Sequence, residues 1–280
     1  MTKLLMDRFA VMSVQYVQHS FDYYIESMVK CGYKHIDFWG GLPHYCRLDY
    51  PNPNEAKETL EKIRHRIEEA GLDVVMYTPE TLAYPYSLSS NRPETIKRTL
   101  DYFEMAMQDA KILGTDKVFL NSGCAPRDLD LQGSMIRLIK NIKTICEVAQ
   151  TYGITIVMEQ LQPYESNLVI DIPSMKHVID GVKMPNLKVC VDVVAMEVAK
   201  ERLEDYFAVF QDKIELIHLA DECHYVLGDG NYPIKGYMYT LERNNYQGYI
   251  TLEINDSIYW LNPHDSMQKT TKALKRLLDL

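Results

Sequence analysis

Four ionisable side chains stand inside otherwise apolar runs: Glu159 in VMEQ, Asp192 in VCVD, His218 in LIHLAD and Glu253 in TLEIN. A charge left unpaired in such surroundings costs on the order of several kcal/mol. For any one residue alone, a loop cap or a buried salt bridge would meet that cost. As a set, three carboxylates and one imidazole make a hard, oxygen-rich donor group suited to one divalent metal ion. Mn²⁺ fits it best, with Mg²⁺, Co²⁺ or Zn²⁺ as alternatives. No thiolate is required, and positions remain open for substrate oxygens.

Aromatic and small residues accompany this set. Trp39, Gly40 and Gly41 follow one apolar run, and YTPETLAYPYS places Tyr77, Glu80, Tyr84 and Tyr86 around the end of another. Aromatic walls suit the apolar faces of sugars, with hydroxyls bonded by polar groups at the edges, so a small-molecule sugar is the expected partner. Any one tyrosine fits rim packing equally well. Among the other histidines, His65 and His177 read as solvated helix residues, and His35 starts a strand at the end remote from the chemistry. His19, His44, His224 and His264 lie in or beside the loops that would face substrate.

Elements of a regular kind must hold these side chains. CGYKHIDFWGG at 31, AGLDVVMYTPE at 70, LGTDKVFLNSG at 113 and YGITIVMEQ at 152 each pass from a helix-ending Gly into a short apolar, β-branched run. Such runs read as parallel strands buried on both faces. Helical periodicity precedes them, as in Leu60, Ile63, Ile67 and Ala70, and in Ile136, Ile139, Ile142, Ile145 and Ala149. Asn91 before Pro93 and Glu94, and Pro173 with Ser174, mark helix starts. Strands are expected near 9–13, 35–39, 73–77, 117–121, 154–159, 187–192, 214–219 and 249–254. Their starts lie 26 to 44 residues apart, enough for a strand, a helix and two loops. Eight such units predict an α/β fold, a (β/α)₈ TIM barrel, as one domain over 1–280. The four ionisable residues then end strands five to eight, on the face where such barrels do their chemistry.

Composition excludes several other classes. The 280 residues are 46% hydrophobic and 25% charged, an ordinary globular balance. A formal net charge of −9 repels a phosphate backbone, so no nucleic acid partner is expected. No stretch approaches the roughly 20 apolar residues that cross a bilayer. Asp7 and Arg8 interrupt what would be the apolar part of a leader, and the six scattered cysteines have no CxxC spacing. The expectation is a cytoplasmic protein with reduced thiols and no membrane partner.

The order Glu, Asp, His, Glu on strands five to eight, with MEQLQPYESN around the first, resembles the xylose isomerase-like sugar phosphate isomerase/epimerase superfamily. FWGGLPH at 38, YTPETLAYPYS at 77, QPYESN at 162 and YITLEI at 249 are similar to its fructoselysine 3-epimerase branch. The resemblance implies a metal-dependent epimerase of carbohydrate metabolism that assembles as a homo-oligomer. It further implies that Glu159, Asp192, His218 and Glu253 hold the metal, that Glu159 and Glu253 are the acid/base pair, and that Glu165 bonds the substrate near its carbonyl. Ala195 and His224 stand where free-ketose 3-epimerases carry His and Arg, and LGDG at 227 lacks the Pro that often precedes its first Gly. The substrate-binding set is therefore Glu165, His224, Trp39, Tyr77, Glu80 and Tyr84.

Epimerisation at C3 of a ketose or ketosamine, of the fructoselysine to psicoselysine type, removes a proton of very low acidity beside a ketone. Metal polarisation of the C2 and C3 oxygens would stabilise the cis-enediolate. One carboxylate takes the proton from one face and a second returns it on the other, which needs two opposed Glu side chains. An aldose–ketose or hydroxypyruvate-type isomerase on the same metal, or a non-catalytic sugar-binding barrel, are the alternatives.

Overall fold

The structure is a computed structural model that describes residues 3–82 and 85–279. Its strands are β1 (Phe9–Met12), β2 (His35–Gly40), β3 (Asp73–Pro79), β4 (Lys117–Asn121), β5 (Thr155–Glu159), β6 (Leu187–Asp192), β7 (Ile214–Leu219) and β8 (Tyr249–Leu252). Helices α1 (Phe21–Cys31), α2 (Pro53–Glu69), α3 (Pro93–Leu113), α4 (Leu131–Tyr152), α5 (Ile172–Val182), α6 (Val193–Val198), α7 (Leu203–Phe210), α8 (Ile234–Arg243) and α9 (Pro263–Leu277) alternate with them. The strand order is that of a closed barrel, β1 through β8 in sequence order. The expected strands are all present, β8 ending one residue before Glu253.

Local chemistry explains the alternation. The strand runs are apolar on both faces, as β1, β4 and β5 show by their near-complete burial. The helices bury one stripe: α3 covers Tyr102, Phe103, Ala106, Met107, Ala110 and Leu113, spaced three and four apart. Gly114 and Gly153 end α3 and α4 at φ of +86° and +63°, where a Cβ would crowd the backbone and glycine is favoured. Asp171 and Ser174 close a reciprocal capping box on α5.

Two details differ from the periodicity. In α4 the buried stripe runs through Leu138, Ile142, Ile145 and Ala149, while Ile136 is 61% exposed. The row of isoleucines spaced by three drifts off a 3.6-residue turn, and Leu138 takes the inner place. Helix α3 is flanked by Arg92, which lends no side-chain cap, and Asn91 lies one residue further out.

The chain forms two compact units. The first combines Met1–Met76 with Leu216–Leu280, and the second is Tyr77–Glu215. In the first, β7 pairs with β8, β8 with β1 and β1 with β2, all parallel, which sets His218 beside Thr251 and Met12 beside Asp37. Helices α1 and α9 join there through Tyr33 Oη and Thr271 Oγ1 at 3.0 Å and Ser27 Oγ and His264 Nδ1 at 2.7 Å. In the second, β4, β5 and β6 are neighbours, with Asn121 beside Glu159 and Glu159 beside Cys190. All six cysteines are free, and among the described residues no helix is long and apolar enough to cross a membrane.

Candidate metal centre and active site

In the first unit the chemistry gathers at the ends of β7 and β8. His218 is the penultimate residue of β7 and is fully buried. Glu253 follows β8 directly, its N–H donating to the Leu219 carbonyl at 3.1 Å. Glu253 Oε2 lies 3.0 Å from His218 Nδ1 and 3.6 Å from His224 Nε2. Burial pushes the Glu253 carboxyl up, but the charges and hydrogen bonds of His218 and then His224 outweigh it and hold it well below the usual carboxylate range. A charged carboxylate is thereby kept in half-buried surroundings.

His224 reaches Glu253 from a tight turn after β7. Cys223 and His224 adopt left-handed backbone conformations at φ of 56° and 59°, and such non-glycine strain gathers at functional sites. The turn is fixed by Tyr225 N–H donating to Glu222 O and Asn255 N–H to His224 O. Asp221 organises the following loop by accepting from the N–H groups of Glu222, Gly228 and Tyr232 at 2.9 to 3.0 Å. Gly230 is packed so closely that a Cβ there would lie 2.5 Å from Asp221 Oδ1.

Trp39, one residue before the end of β2, is half-buried, and its backbone N–H donates to Ser13 Oγ at 3.0 Å. Its indole lies over Gly41, leaving no room for a side chain there. His44 differs from the expectation of a loop histidine near substrate. It is buried, its Nε2 meets the His19 carbonyl at 3.1 Å, and its ring stacks on Tyr24. His35 pairs with Asp73, His264 joins Ser27 and Gln268, and His65 and His177 are exposed on helices.

Burial lowers the His44 pKa from 6.5 to about 4. The unfolded chain takes up this proton at higher pH than the native one. His44 therefore contributes fully above pH 6.5, and that contribution is lost as pH falls toward 4. The shift corresponds to on the order of 3 kcal/mol. Urea unfolding at pH 7.0 and at about pH 4.5 should show a larger acid loss for the wild type than for His44→Gln. Equal losses in the two proteins would contradict it.

In the second unit Glu159 ends β5 and is 6% exposed. Cys190, its register partner on β6, donates its thiol hydrogen to Oε1 at 3.6 Å. Asp192 ends β6 and caps α6, its Oδ1 and Oδ2 accepting from the N–H groups of Val194 and Ala195 at 3.0 and 2.9 Å. Gln160 holds the Asp192 backbone from both sides, donating to its carbonyl at 2.9 Å. Two N–H groups use only part of a carboxylate's acceptor capacity, so capping leaves lone pairs for a cation.

The remaining candidates of this unit lie on loops and on β3. Glu165 Oε2 accepts from Gln162 N–H at 2.9 Å within the turn after β5. Tyr77 is fully buried on β3, whereas Glu80 is exposed and accepts from Leu82 N–H at 3.0 Å. Tyr84 lies outside the described residues.

The donors fit a hard divalent ion. Glu159 with Cys190 in one unit, and His224 with Glu253 in the other, each offer ligand atoms within 4.8 Å of one another. The two carboxylates among them, Glu159 and Glu253, lie in buried and half-buried surroundings where a cation offsets the cost of charge. Sequence reasoning missed Asp37, a fully buried carboxylate in the apolar run HIDFWG, and Gln160. The signal that marked Glu159 marks Asp37 equally.

Comparisons with known proteins agree with this architecture. Fructoselysine 3-epimerase of Escherichia coli O157:H7 is 28% identical over 267 residues, covering 94% of each chain. The solved structure of L-ribulose 3-epimerase matches with a TM-score of 0.82 at 16% identity, over 97% of this chain and 94% of that one. D-psicose 3-epimerase from Clostridium cellulolyticum H10, solved with D-tagatose, gives 0.79 at 15% identity over 96% and 98%. These relatives are sugar epimerases. With the family profile matching residues 25–277, the chain belongs to the xylose isomerase-like TIM barrel family.

Proposed function

We propose that the protein is a divalent-metal-dependent sugar epimerase acting at C3 of a ketose or ketosamine of the fructoselysine type. Glu159, Asp192, His218 and Glu253 would hold the metal, Mn²⁺ by preference. The observation that carries the reading is Glu253: a half-buried carboxylate held well below the usual carboxylate range between two imidazoles, next to the end of β8. The fructoselysine 3-epimerase relative, aligned over 94% of both chains, supports the substrate class. A single domain over 1–280 is part of the same proposal. A small-molecule sugar, a homo-oligomer and a cytoplasmic setting belong to the same proposal, as does the absence of nucleic acid or membrane partners, which the net charge of −9 favours.

When bound, the metal supplies Lewis acidity to the oxygens beside the reacting carbon. The protein's own residues handle the proton. One of Glu159 and Glu253 removes it from C3, and the other, on the opposite face of the sugar, returns one. Burial of Glu159 and the neighbouring Cys190 thiol keep bulk water from its inner side. Glu165 and His224 would bond substrate oxygens, with Trp39 and Glu80 beside them.

Incubation of Mn²⁺-loaded protein with fructoselysine in D₂O should introduce deuterium at C3, read by NMR. Exchange confined to a free ketohexose would remove the ketosamine assignment. Exchange at C1 or C2 would favour an aldose–ketose or hydroxypyruvate-type isomerase, and binding without exchange a sugar-binding barrel.

A further inference from the structure

His218 has a carboxylate on each side. Glu253 Oε2 lies 3.0 Å from Nδ1, and Asp37 Oδ2 lies 3.6 Å from Nε2, with both Asp37 and His218 fully buried. Asp37 sits on β2 amid apolar neighbours, and Thr251 Oγ1 donates to the same Oδ2 at 3.3 Å. Thr251 is also the register partner of His218, so β2, β7 and β8 each contribute one polar side chain to this interior cluster.

A neutral imidazole carries one N–H, and the group facing that nitrogen decides which atom holds it. For Nδ1 to offer its lone pair to a cation beside Glu253, the proton must be on Nε2. Asp37 is the carboxylate that faces Nε2. A carboxylate behind a metal-binding histidine fixes both the tautomer and the ring's orientation. We propose that Asp37 is a positioning residue for His218: it accepts the Nε2 proton, holds the ring in place and so directs Nδ1 toward the metal. This rests on the proposed role of His218 as a ligand. Asp37 itself would touch neither metal nor sugar.

The test measures metal rather than turnover. Mn²⁺ affinity is determined by competition with a chelating dye for the wild type, Asp37→Asn, His218→Gln and the double variant. Asp37→Asn should weaken binding about 10- to 100-fold. In the His218→Gln background it should cost no more than about twofold, since a residue acting through His218 has nothing left to orient. An unchanged affinity in Asp37→Asn, or the same loss in both backgrounds, overturns the proposal while leaving the metal site standing. A wild type that binds no Mn²⁺ overturns the metal reading, and the role of Asp37 with it.

A second measurement needs no folded Asp37 variant. In Zn²⁺-loaded wild type, ¹H–¹⁵N correlation of the histidine rings, with His218 assigned by its loss in His218→Gln, should place the proton on Nε2. A proton on Nδ1 overturns the proposal.

Discussion

Replacing Glu253 by Gln should abolish C3 exchange while the fold persists, with a loss on the order of 10²–10⁴-fold or more in turnover. Gln keeps the size of the side chain and removes its basicity. The substitution also deletes the charge that faces His218 at 3.0 Å and His224 at 3.6 Å. A proposed anionic ligand is then replaced by a neutral amide, so metal affinity should fall along with the rate. Glu159→Gln tests the opposite member of the pair. Because it would remove a proposed ligand as well as a base, rate and metal content should both fall. Exchange is read by deuterium incorporation, folding by near-UV circular dichroism. Near-normal turnover in either variant would end the two-base scheme.

Stripping the metal should remove activity and lower stability together. A cation that binds only the native state contributes about 2.7 kcal/mol at a free concentration 100 times its Kd. For a protein of this size that corresponds to about 2–4 °C in Tm for each kcal/mol. The structural reason is the burial of Glu159, Asp192 and His218, whose donor atoms a cation would relieve of unfavourable surroundings. Dialysis against EDTA should therefore lower Tm by several degrees, and Mn²⁺ should restore both Tm and turnover. A Tm and a rate indifferent to chelation, with elemental analysis showing no bound metal, would favour the sugar-binding barrel.

The strands were legible because they are apolar on both faces and follow helix-ending glycines, signals that tertiary packing reinforces. Helix stripes were less so. A row of isoleucines at spacing three suggested Ile136, but the turn of α4 carries Leu138 inward instead. Short elements such as α6 were invisible, since six residues contain too little period to read. In the site, Glu159, Asp192, His218 and Glu253 stood out as ionisable groups in apolar runs. Asp37 shares that property, but the aromatic and glycine residues after it drew the eye to HIDFWG for a different reason. The double use of Asp192, as helix cap and as candidate ligand, depends on where α6 begins, which its sequence does not mark. His44 was a loop histidine by position, and only its packing against Tyr24 shows it to be interior.

The division of the chain carries a consequence for biosynthesis. The second unit is one continuous stretch, Tyr77–Glu215, complete before the segment Leu216–Leu280 is made. The first is built from the segments on either side of it, and β1 must wait for β8 to supply one of its two neighbours. Pairings across so long a separation close slowly, because the loop entropy is spent before contacts repay it. Asp37 emerges well before Glu253, so the carboxylate–imidazole cluster around His218 cannot form until β8 and the residue after it have been made. Any metal captured by the nascent chain before then would find only part of its donors in place.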